Sequence, residues 1–301
     1  MMLRLVLVST LLLVCPCAAR SQAEPMRTAM TQRGPIAFHV IGDGAGTPLV
    51  LVNGGPGFDH QYFHLAPVWE RLGMGRRVVF FDQPGTGQSY PVHSNDSVGV
   101  SDVLDAIHAV RMELGASRIV VLGHSWGGYV AMAFGLEYPD ATEALVLVGT
   151  VAPNWTDTEF NFAPLFPDSL ARGSSPASDP DGPRKDLRRH LAMSLYSPSI
   201  RQLVTHGFAG LPHNARQASQ LIADARANDL WPLLEGLQPS VLVSTGRFDA
   251  NVAPRTSWRV HQAIPGSHFV VWERSGHYPM IEEPDDFVEV VSRFLDVVSR
   301  R

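Results

Sequence analysis

Short apolar runs recur along the chain at intervals that suit a sheet whose strands alternate with helices. Each run has four to six residues, is rich in valine, isoleucine and leucine, and is apolar almost without interruption. Continuous hydrophobicity is typical of strands buried on both faces of a parallel sheet. The predicted strands are Ile36–Ile41, Leu49–Val52, Val78–Phe81, Ile119–Leu122, Ala144–Val148, Val241–Ser244 and Phe269–Trp272.

Amphipathic stretches lie between these runs, and a glycine-rich turn, Gly42–Gly46, follows the first of them. Apolar residues at helical spacing predict helices over Val100–Leu114, Gly128–Tyr138, Pro254–Ile264 and Asp285–Val298. Alternating strands and helices predict an α/β fold with a mostly parallel, doubly wound sheet.

The alternation stops between residues 152 and 239. A Pro/Ser/Asp-rich patch, Asp168–Pro183, precedes helix-like segments at Leu187–Tyr196, Ile200–Phe208 and Arg216–Ala227. We interpret residues 152–239 as a helical lid over the carboxyl edge of the sheet, where open α/β sheets bind ligands. Residues 24–151 and 240–301 then form the two parts of the core.

The N-terminus has the form of a signal peptide, predicted over residues 1–23. Arg4 precedes an apolar run of 10 residues, and cleavage is predicted near Ala19 or Ala23. The run is short for a membrane span, so an uncleaved anchor is the less favoured alternative, and we expect no stable membrane insertion after cleavage. The predicted location is periplasmic or secreted.

Composition narrows the possible classes of function. The chain has 301 residues, of which 45% are hydrophobic and 18% are charged, as in a globular protein. Cys15 and Cys17 both lie in the predicted signal peptide, so the mature protein has no disulfide and no thiolate. Cleavage after Ala23 leaves 22 basic and 29 acidic residues, a net charge of −7, which argues against a nucleic-acid partner. The oligomeric state stays open.

The pentapeptide Gly123-His124-Ser125-Trp126-Gly127 lies between a predicted strand and a predicted helix. In that context G-x-S-x-G is typical of a nucleophile elbow, a sharp turn that projects the serine hydroxyl above the sheet. Ser125 is therefore the predicted nucleophile.

A serine nucleophile needs a general base and a group that orients the base. Asp249 and His277 each follow a predicted strand, and the chain order Ser, Asp, His is that of the α/β-hydrolase catalytic triad. We predict that His277 accepts the Ser125 proton and that Asp249 holds the imidazole, with Asp285 and Asp286 as alternative acids.

The oxyanion hole requires backbone donors beside the nucleophile. The N–H of Trp126 directly follows Ser125, and the loop Asn53–Gly57 follows the strand Leu49–Val52. We predict Trp126 and Gly55 as the two donors.

The motifs resemble those of the proline iminopeptidases, a family of serine hydrolases. Asn53–Gly57 is similar to that family's HGGPG loop, and Phe81–Ser89 is similar to its strand-four signature. Gly123–Gly128 and Ser275–Pro279 also fit, and the resemblance extends from residue 36 to residue 298 outside the lid. It implies the α/β-hydrolase fold, no cofactor, and a small-molecule or short peptide substrate.

Two departures from this family concern the substrate. Asn53 stands where the family has histidine, and an amide could brace the loop in the same way. An aminopeptidase also needs carboxylates to bind a free ammonium group, yet Ala250 occupies the position after the catalytic acid. The candidate acids of the lid are Asp157, Glu159, Asp186, Asp224, Asp229 and Glu235.

Two further groups of residues have competing interpretations. His60 and His64 are four residues apart, but because Tyr62 and Phe63 lie between them we interpret them as a helix flank and predict no metal ligand. Most lid aromatics should pack within the lid, with one or two facing the substrate. They are Trp155, Phe160, Phe162, Phe166 and Trp231.

The sequence therefore predicts a serine hydrolase that works through an acyl-enzyme. The first expectation is proline iminopeptidase-like action on small N-terminal substrates, and the alternative is a carboxylesterase or lactonase of the same fold. A rival from another class is a ligand-binding protein or a cofactor-free oxygenase with this fold.

Overall fold

The computed structural model describes residues 25–93, 96–166, 168, 182–208 and 210–300. The predicted signal peptide lies outside the described residues, with its two cysteines and both candidate cleavage sites, and so does most of the patch Asp168–Pro183. Within the described part of the chain, no helix is long and apolar enough to cross a membrane.

The strands form one mixed, mostly parallel sheet in the order β1-β2-β4-β5-β6-β7, with β3 paired to β2. From the end of β2 through β7 the pairing is parallel, and β1 is antiparallel to β2. The strands are β1 Arg27–Thr31, β2 Gly34–Val52, β3 Arg76–Phe81, β4 Ile119–His124, β5 Thr142–Val148, β6 Ser240–Gly246 and β7 His268–Trp272.

The long strand β2 contains two of the predicted strands and the turn between them. Its first limb, Phe38–Ile41, and its second limb, Leu49–Leu51, both pair with β3, and the register shifts between them. Both limbs pair with the same residues of β3, so each limb must occupy a different edge of β3. The strand β3 therefore lies between the two limbs. The predicted turn Gly42–Gly46 is where β2 bends, and it is counted within the strand because Ala45 and Gly46 also pair with β3.

The helices confirm the predicted α/β alternation, with boundaries that differ by a few residues. Four short elements, β1, α1, α4 and α9, were not predicted. The helices are α1 Val68–Gly73, α2 Val100–Glu113, α3 Trp126–Glu137, α4 Phe162–Leu165, α5 Gly182–Ser194, α6 Pro198–Phe208, α7 Ala215–Ala227, α8 Pro254–Ala263, α9 Pro279–Glu282 and α10 Pro284–Val298.

The sheet is covered on both faces, which explains its continuous hydrophobic strands. In β4, Val121 packs into a cluster shared with α2 and α3. Its neighbours Val120 and Leu122 pack into a second cluster shared with α1 and α10. Successive side chains of a strand point to opposite faces, so each face buries half of the side chains of a central strand such as β4.

The parallel strands end at one edge of the sheet, and this edge brings together positions that are far apart in sequence. Ser125 directly follows β4, Asp249 follows β6 and His277 follows β7. The described helices α4 to α7 all fall between β5 and β6, in the region that the sequence assigned to a lid.

Candidate active site

Ser125 lies in a strained turn between β4 and α3. Its backbone has φ 56° and ψ −117°, and it is the only non-glycine residue of the described chain with positive φ. Its carbonyl accepts hydrogen bonds from the N–H of Gly128 (2.9 Å) and Val151 (3.3 Å). A strained serine between a strand and a helix N-terminus is the geometry of a nucleophile elbow.

Glycine is required on both sides of this turn because backbone segments approach each other closely. A Cβ at Gly123 would lie 2.0 Å from the carbonyl oxygen of Gly127. A Cβ at Gly127 would lie 2.0 Å from the carbonyl oxygen of Val52, at the end of β2. Neither acceptor can move like a flexible side chain, so the G-x-S-x-G spacing follows from packing.

His277 and Asp249 form a buried pair. The Nδ1 of His277 lies 2.8 Å from Oδ2 of Asp249, and both side chains are almost completely buried. The other oxygen, Oδ1, accepts hydrogen bonds from the N–H of Asn251 and Val252, each at 2.9 Å. These bonds fix the carboxylate, which in turn orients the imidazole ring.

The structure favours Asp249 over the two alternative acids. Asp285 lies beside Arg71 at 2.6 Å, and Asp286 lies beside Arg274 at 3.1 Å. Both acids begin α10, and both are largely exposed. Asp249 is the acid that the fold brings to the histidine.

The second nitrogen of His277 is available for proton transfer. Because a carboxylate can only accept, Nδ1 carries the hydrogen and the neutral ring keeps a lone pair on Nε2. Nε2 is buried and has no hydrogen-bond partner among the described residues. Ser125 and His277 line the same cavity, although no hydrogen bond joins the Ser125 hydroxyl to Nε2 of His277 in this structure.

Gly55 and Trp126, the predicted oxyanion donors, also line this cavity. The loop that carries Gly55 is braced by the side chain of Asn53. The Nδ2 of Asn53 donates to the carbonyl of Phe58 at 3.1 Å, and Oδ1 accepts from Nε2 of Gln83 at 2.9 Å. The amide thus braces the loop, as expected, in place of the histidine of the resembled family.

A buried hydrogen-bonded chain behind the site was not predicted. The Nε2 of His124 lies 2.7 Å from the carbonyl oxygen of His277, which only accepts, so Nε2 carries the hydrogen. Burial, and then the adjacent His277 ring, hold the pKa of His124 well below its ordinary value, so the ring is neutral. The hydroxyl of Tyr62 therefore donates to Nδ1 of His124, at 2.7 Å.

The cavity above Ser125 has a volume of about 690 Å³ and is mostly apolar. Two of the lid aromatics singled out in the sequence, Trp155 and Phe160, face it, and Phe58 and Phe208 were not foreseen there. Among the cavity residues that lie between β5 and β6, His190 and His213 are the most polar, and burial lowers the pKa of His190 to about 4. No Asp, Glu, Lys or Arg of the described chain lines the cavity.

The candidate lid acids have other partners or lie in solvent. Asp224 accepts from the N–H of Val100 at the start of α2, at 2.7 Å. Asp157 accepts from Nε1 of Trp231 at 2.8 Å. The acids without a place in the cavity wall are Asp157, Glu159, Asp186, Asp224, Asp229 and Glu235. The described structure thus offers no carboxylate to a substrate ammonium beside Ser125.

A family model described as alpha/beta hydrolase fold matches residues 47–284. The chain belongs to the α/β-hydrolase fold family. Its hydrolase relatives, together with this match, make it an α/β-fold serine hydrolase.

Among curated relatives, a proline iminopeptidase of Clostridium botulinum is 26% identical over 278 residues, which cover 86% of this chain and 94% of the relative. A 2-hydroxy-6-oxo-2,4-heptadienoate hydrolase of Pseudomonas putida is 28% identical over 275 residues, covering 88% and 95%. The esterase RhEst1 from Rhodococcus sp. ECU1013 has a TM-score of 0.74 at 23% identity, covering 91% of this chain and 99% of that structure. This last similarity shows the fold alone.

Replacement of Gly127 by alanine should destabilise the α/β-hydrolase core strongly. The added Cβ would meet a backbone oxygen at 2.0 Å, and overpacking that cannot relax costs about 3 kcal/mol or more. Urea unfolding of Gly127→Ala measures this cost. Gly75→Ala is the matched control, because a Cβ there meets nothing within 4 Å, and a shift within about 1 kcal/mol is expected. Equal stability of the two variants would contradict the packing argument.

Replacement of Tyr62 by phenylalanine should leave Nδ1 of His124 buried without a donor. Loss of the donor to a buried acceptor costs about 1–3 kcal/mol, which denaturant unfolding of Tyr62→Phe would measure. Tyr138→Phe is the control, because that hydroxyl bonds an exposed carboxylate of Asp105, and its change should stay within about 0.5 kcal/mol. A Tyr62→Phe protein as stable as wild type would argue against this hydrogen-bonded chain.

Proposed function

We propose that the protein hydrolyses small, neutral and largely apolar carboxylic esters, lactones included, through an acyl-enzyme on Ser125. The observation that carries the proposal is the cavity of about 690 Å³ above Ser125, whose described walls contain apolar and aromatic side chains and no charged residue. Apolar walls bind neutral acyl groups, whereas a charged group buried without a partner is costly.

In the first step, the Ser125 hydroxyl oxygen attacks the carbonyl carbon and His277 Nε2 takes its proton. The N–H groups of Gly55 and Trp126 stabilise the oxygen that becomes negative. The carbon–oxygen bond to the leaving group then breaks, and the alcohol leaves with the proton from His277. The products of this step are the free alcohol and an ester between the acyl group and Ser125.

In the second step, a water molecule replaces the alcohol. His277 removes a proton from the water as its oxygen attacks the acyl carbon, and the bond to Ser125 breaks. The proton returns to the serine oxygen, and the carboxylic acid leaves. Asp249 stays ionised throughout and stabilises the protonated imidazole. No step needs a cofactor.

Removal of an N-terminal proline is a second candidate function, favoured by the proline iminopeptidase relatives. It uses the same two steps with an amine as leaving group. It also requires a carboxylate for the substrate ammonium, and Ala250 beside Asp249 supplies none. The described cavity wall therefore favours the ester.

A non-hydrolytic member of the fold, such as a ligand-binding protein, does not need a nucleophile and base. Here the Asp249 carboxylate is held by three hydrogen bonds, one to His277 and two to backbone N–H groups. A protein that only binds a ligand has no need to fix the His277 ring in this way, so the three hydrogen bonds support catalysis rather than binding alone. The form of residues 1–23 supports the further proposal that the enzyme acts in the periplasm or outside the cell.

Ser125→Ala should lose turnover of nitrophenyl esters and labelling by an organophosphonate while keeping its fold. Loss of the nucleophile in such a triad removes roughly 10⁴- to 10⁶-fold in rate. Initial rates, mass spectrometry of the labelled protein and thermal unfolding measure the three properties. Ser219→Ala is the control, because Ser219 is exposed on α7 and its hydroxyl donates to the carbonyl of Ala215 in the same helix. Retention of a tenth of the activity in Ser125→Ala would rule out the mechanism.

Substrate choice should separate the two candidate functions. Butyryl and acetyl nitrophenyl esters and simple lactones should be turned over, whereas free and N-blocked prolyl naphthylamides should both be poor substrates. Because almost any active triad cleaves activated esters, unactivated alkyl esters are included. The measurement is kcat/KM on one purified preparation.

One result would contradict the esterase proposal and favour the aminopeptidase. A clear preference for the free over the N-blocked prolyl amide would show that an acid binds the ammonium group. The aminopeptidase would then be the function, and alanine variants at Asp157, Glu159, Asp224, Asp229 and Glu235 would test which acid binds it.

A further inference from the structure

Three histidines form a cluster outside the active-site cavity. His39 lies in the first limb of β2, His60 begins the 3₁₀ turn His60–Phe63, and His64 ends that turn. One side-chain nitrogen from each ring lies within 4.8 Å of the other two. The ring centroids are separated by 5.1, 5.6 and 5.2 Å. Two elements far apart in sequence thus present three imidazoles to one point.

A buried carboxylate orients one of these rings. The Nδ1 of His60 lies 2.6 Å from Oδ1 of Asp82, a fully buried residue at the end of β3. Asp82 is itself held, because it also accepts from the N–H of His60 and of Gln88. Nδ1–H of His60 donates to this carboxylate, which leaves Nε2 of His60 free as a ligand atom. This carboxylate–histidine arrangement is the usual support of a histidine that binds a metal.

The other two rings are positioned but carry no competing hydrogen bond. His39 stacks on Phe80 with a centroid distance of 4.6 Å and an interplanar angle of 1°. Within the described chain, no residue hydrogen bonds the ring of His39 or His64. His64 is exposed, so solvent reaches the cluster.

Although the sequence positions of His60 and His64 alone predict no metal ligand, we propose that His39, His60 and His64 together form a binding site for a divalent transition-metal ion, with Zn²⁺ as the best-fitting ion. Three imidazole nitrogens suit Zn²⁺ and its neighbours in the first row, whereas Ca²⁺ and Mg²⁺ prefer oxygen ligands. Zinc–nitrogen bonds of about 2.0–2.1 Å in tetrahedral geometry place the nitrogens about 3.4 Å apart. The rings close slightly from their present separation, and water fills the fourth position on the exposed side.

The bound ion would connect β2 to the turn that enters the active site. The turn His60–Phe63 carries Tyr62, which lines the cavity and donates to His124. It also follows the loop that holds the oxyanion donor Gly55. A metal ion at the cluster therefore stabilises this turn against the sheet, and it takes no part in the acyl transfer.

The test uses the full, untagged enzyme, treated with a chelator and dialysed. Titration with ZnCl₂ at pH 7.5 in a calorimeter should show one high-affinity equivalent, and the melting temperature should rise with Zn²⁺. CaCl₂ and MgCl₂ should give neither effect. His39→Gln and His64→Gln should each weaken Zn²⁺ binding at least about tenfold.

Because His64 is exposed, His64→Gln should disturb folding less than His39→Gln. The melting temperature of His64→Gln without metal reports whether the variant folds. His206→Gln is the matched control, because His206 is exposed on α6, outside the cluster, and it should bind Zn²⁺ like the wild type. The proposal is overturned if the wild type binds no Zn²⁺, if His64→Gln binds as tightly as the wild type, or if His206→Gln also loses binding.

Discussion

The backbone of Ser125 is the constraint on which the active site depends. A non-glycine residue at φ 56° costs about 1–3 kcal/mol, and it persists only where its surroundings hold it. Here the N–H of Ser125 donates to Val148 at the end of β5, and its carbonyl accepts from Gly128 and Val151. Gly127 allows α3 to approach β2. The serine, the helix N-terminus and the oxyanion loop are consequently held as one unit.

Much of the fold was predictable because its strands are buried on both faces and therefore uniformly apolar. Ser125 and Asp249 were found because each follows such a strand, and His277 was found because β7 is apolar in sequence although it is only partly buried. Parallel strands end at one edge, which brings the three positions together. By contrast, β1 was missed because it is a short edge strand in which only Ala29 is buried. The mostly polar sequence of β1 has no recognisable strand pattern. Only its pairing with β2 shows that this segment is a strand.

The residues that surround the triad were harder to predict, because their contacts join distant parts of the chain. Nothing near Tyr62 in the sequence indicates that its hydroxyl meets His124, and nothing near His39 indicates His60 and His64. The acidic residues between β5 and β6 were equally hard to place from the sequence. Their number in the sequence could not tell whether an acid such as Asp224 faces the substrate or caps a neighbouring helix.

The position of α4 to α7 between β5 and β6 has a consequence for how this enzyme can change during evolution. Residues 149–239 separate the two strands, which pair directly with each other in the sheet. Loop-closure entropy grows only with the logarithm of length, so doubling such an insertion costs about 0.6 kcal/mol. Insertions, deletions and helix replacements here should therefore destabilise the fold much less than a change beside Gly127. Substrate preference can drift through the insertion while the catalytic sheet stays constant.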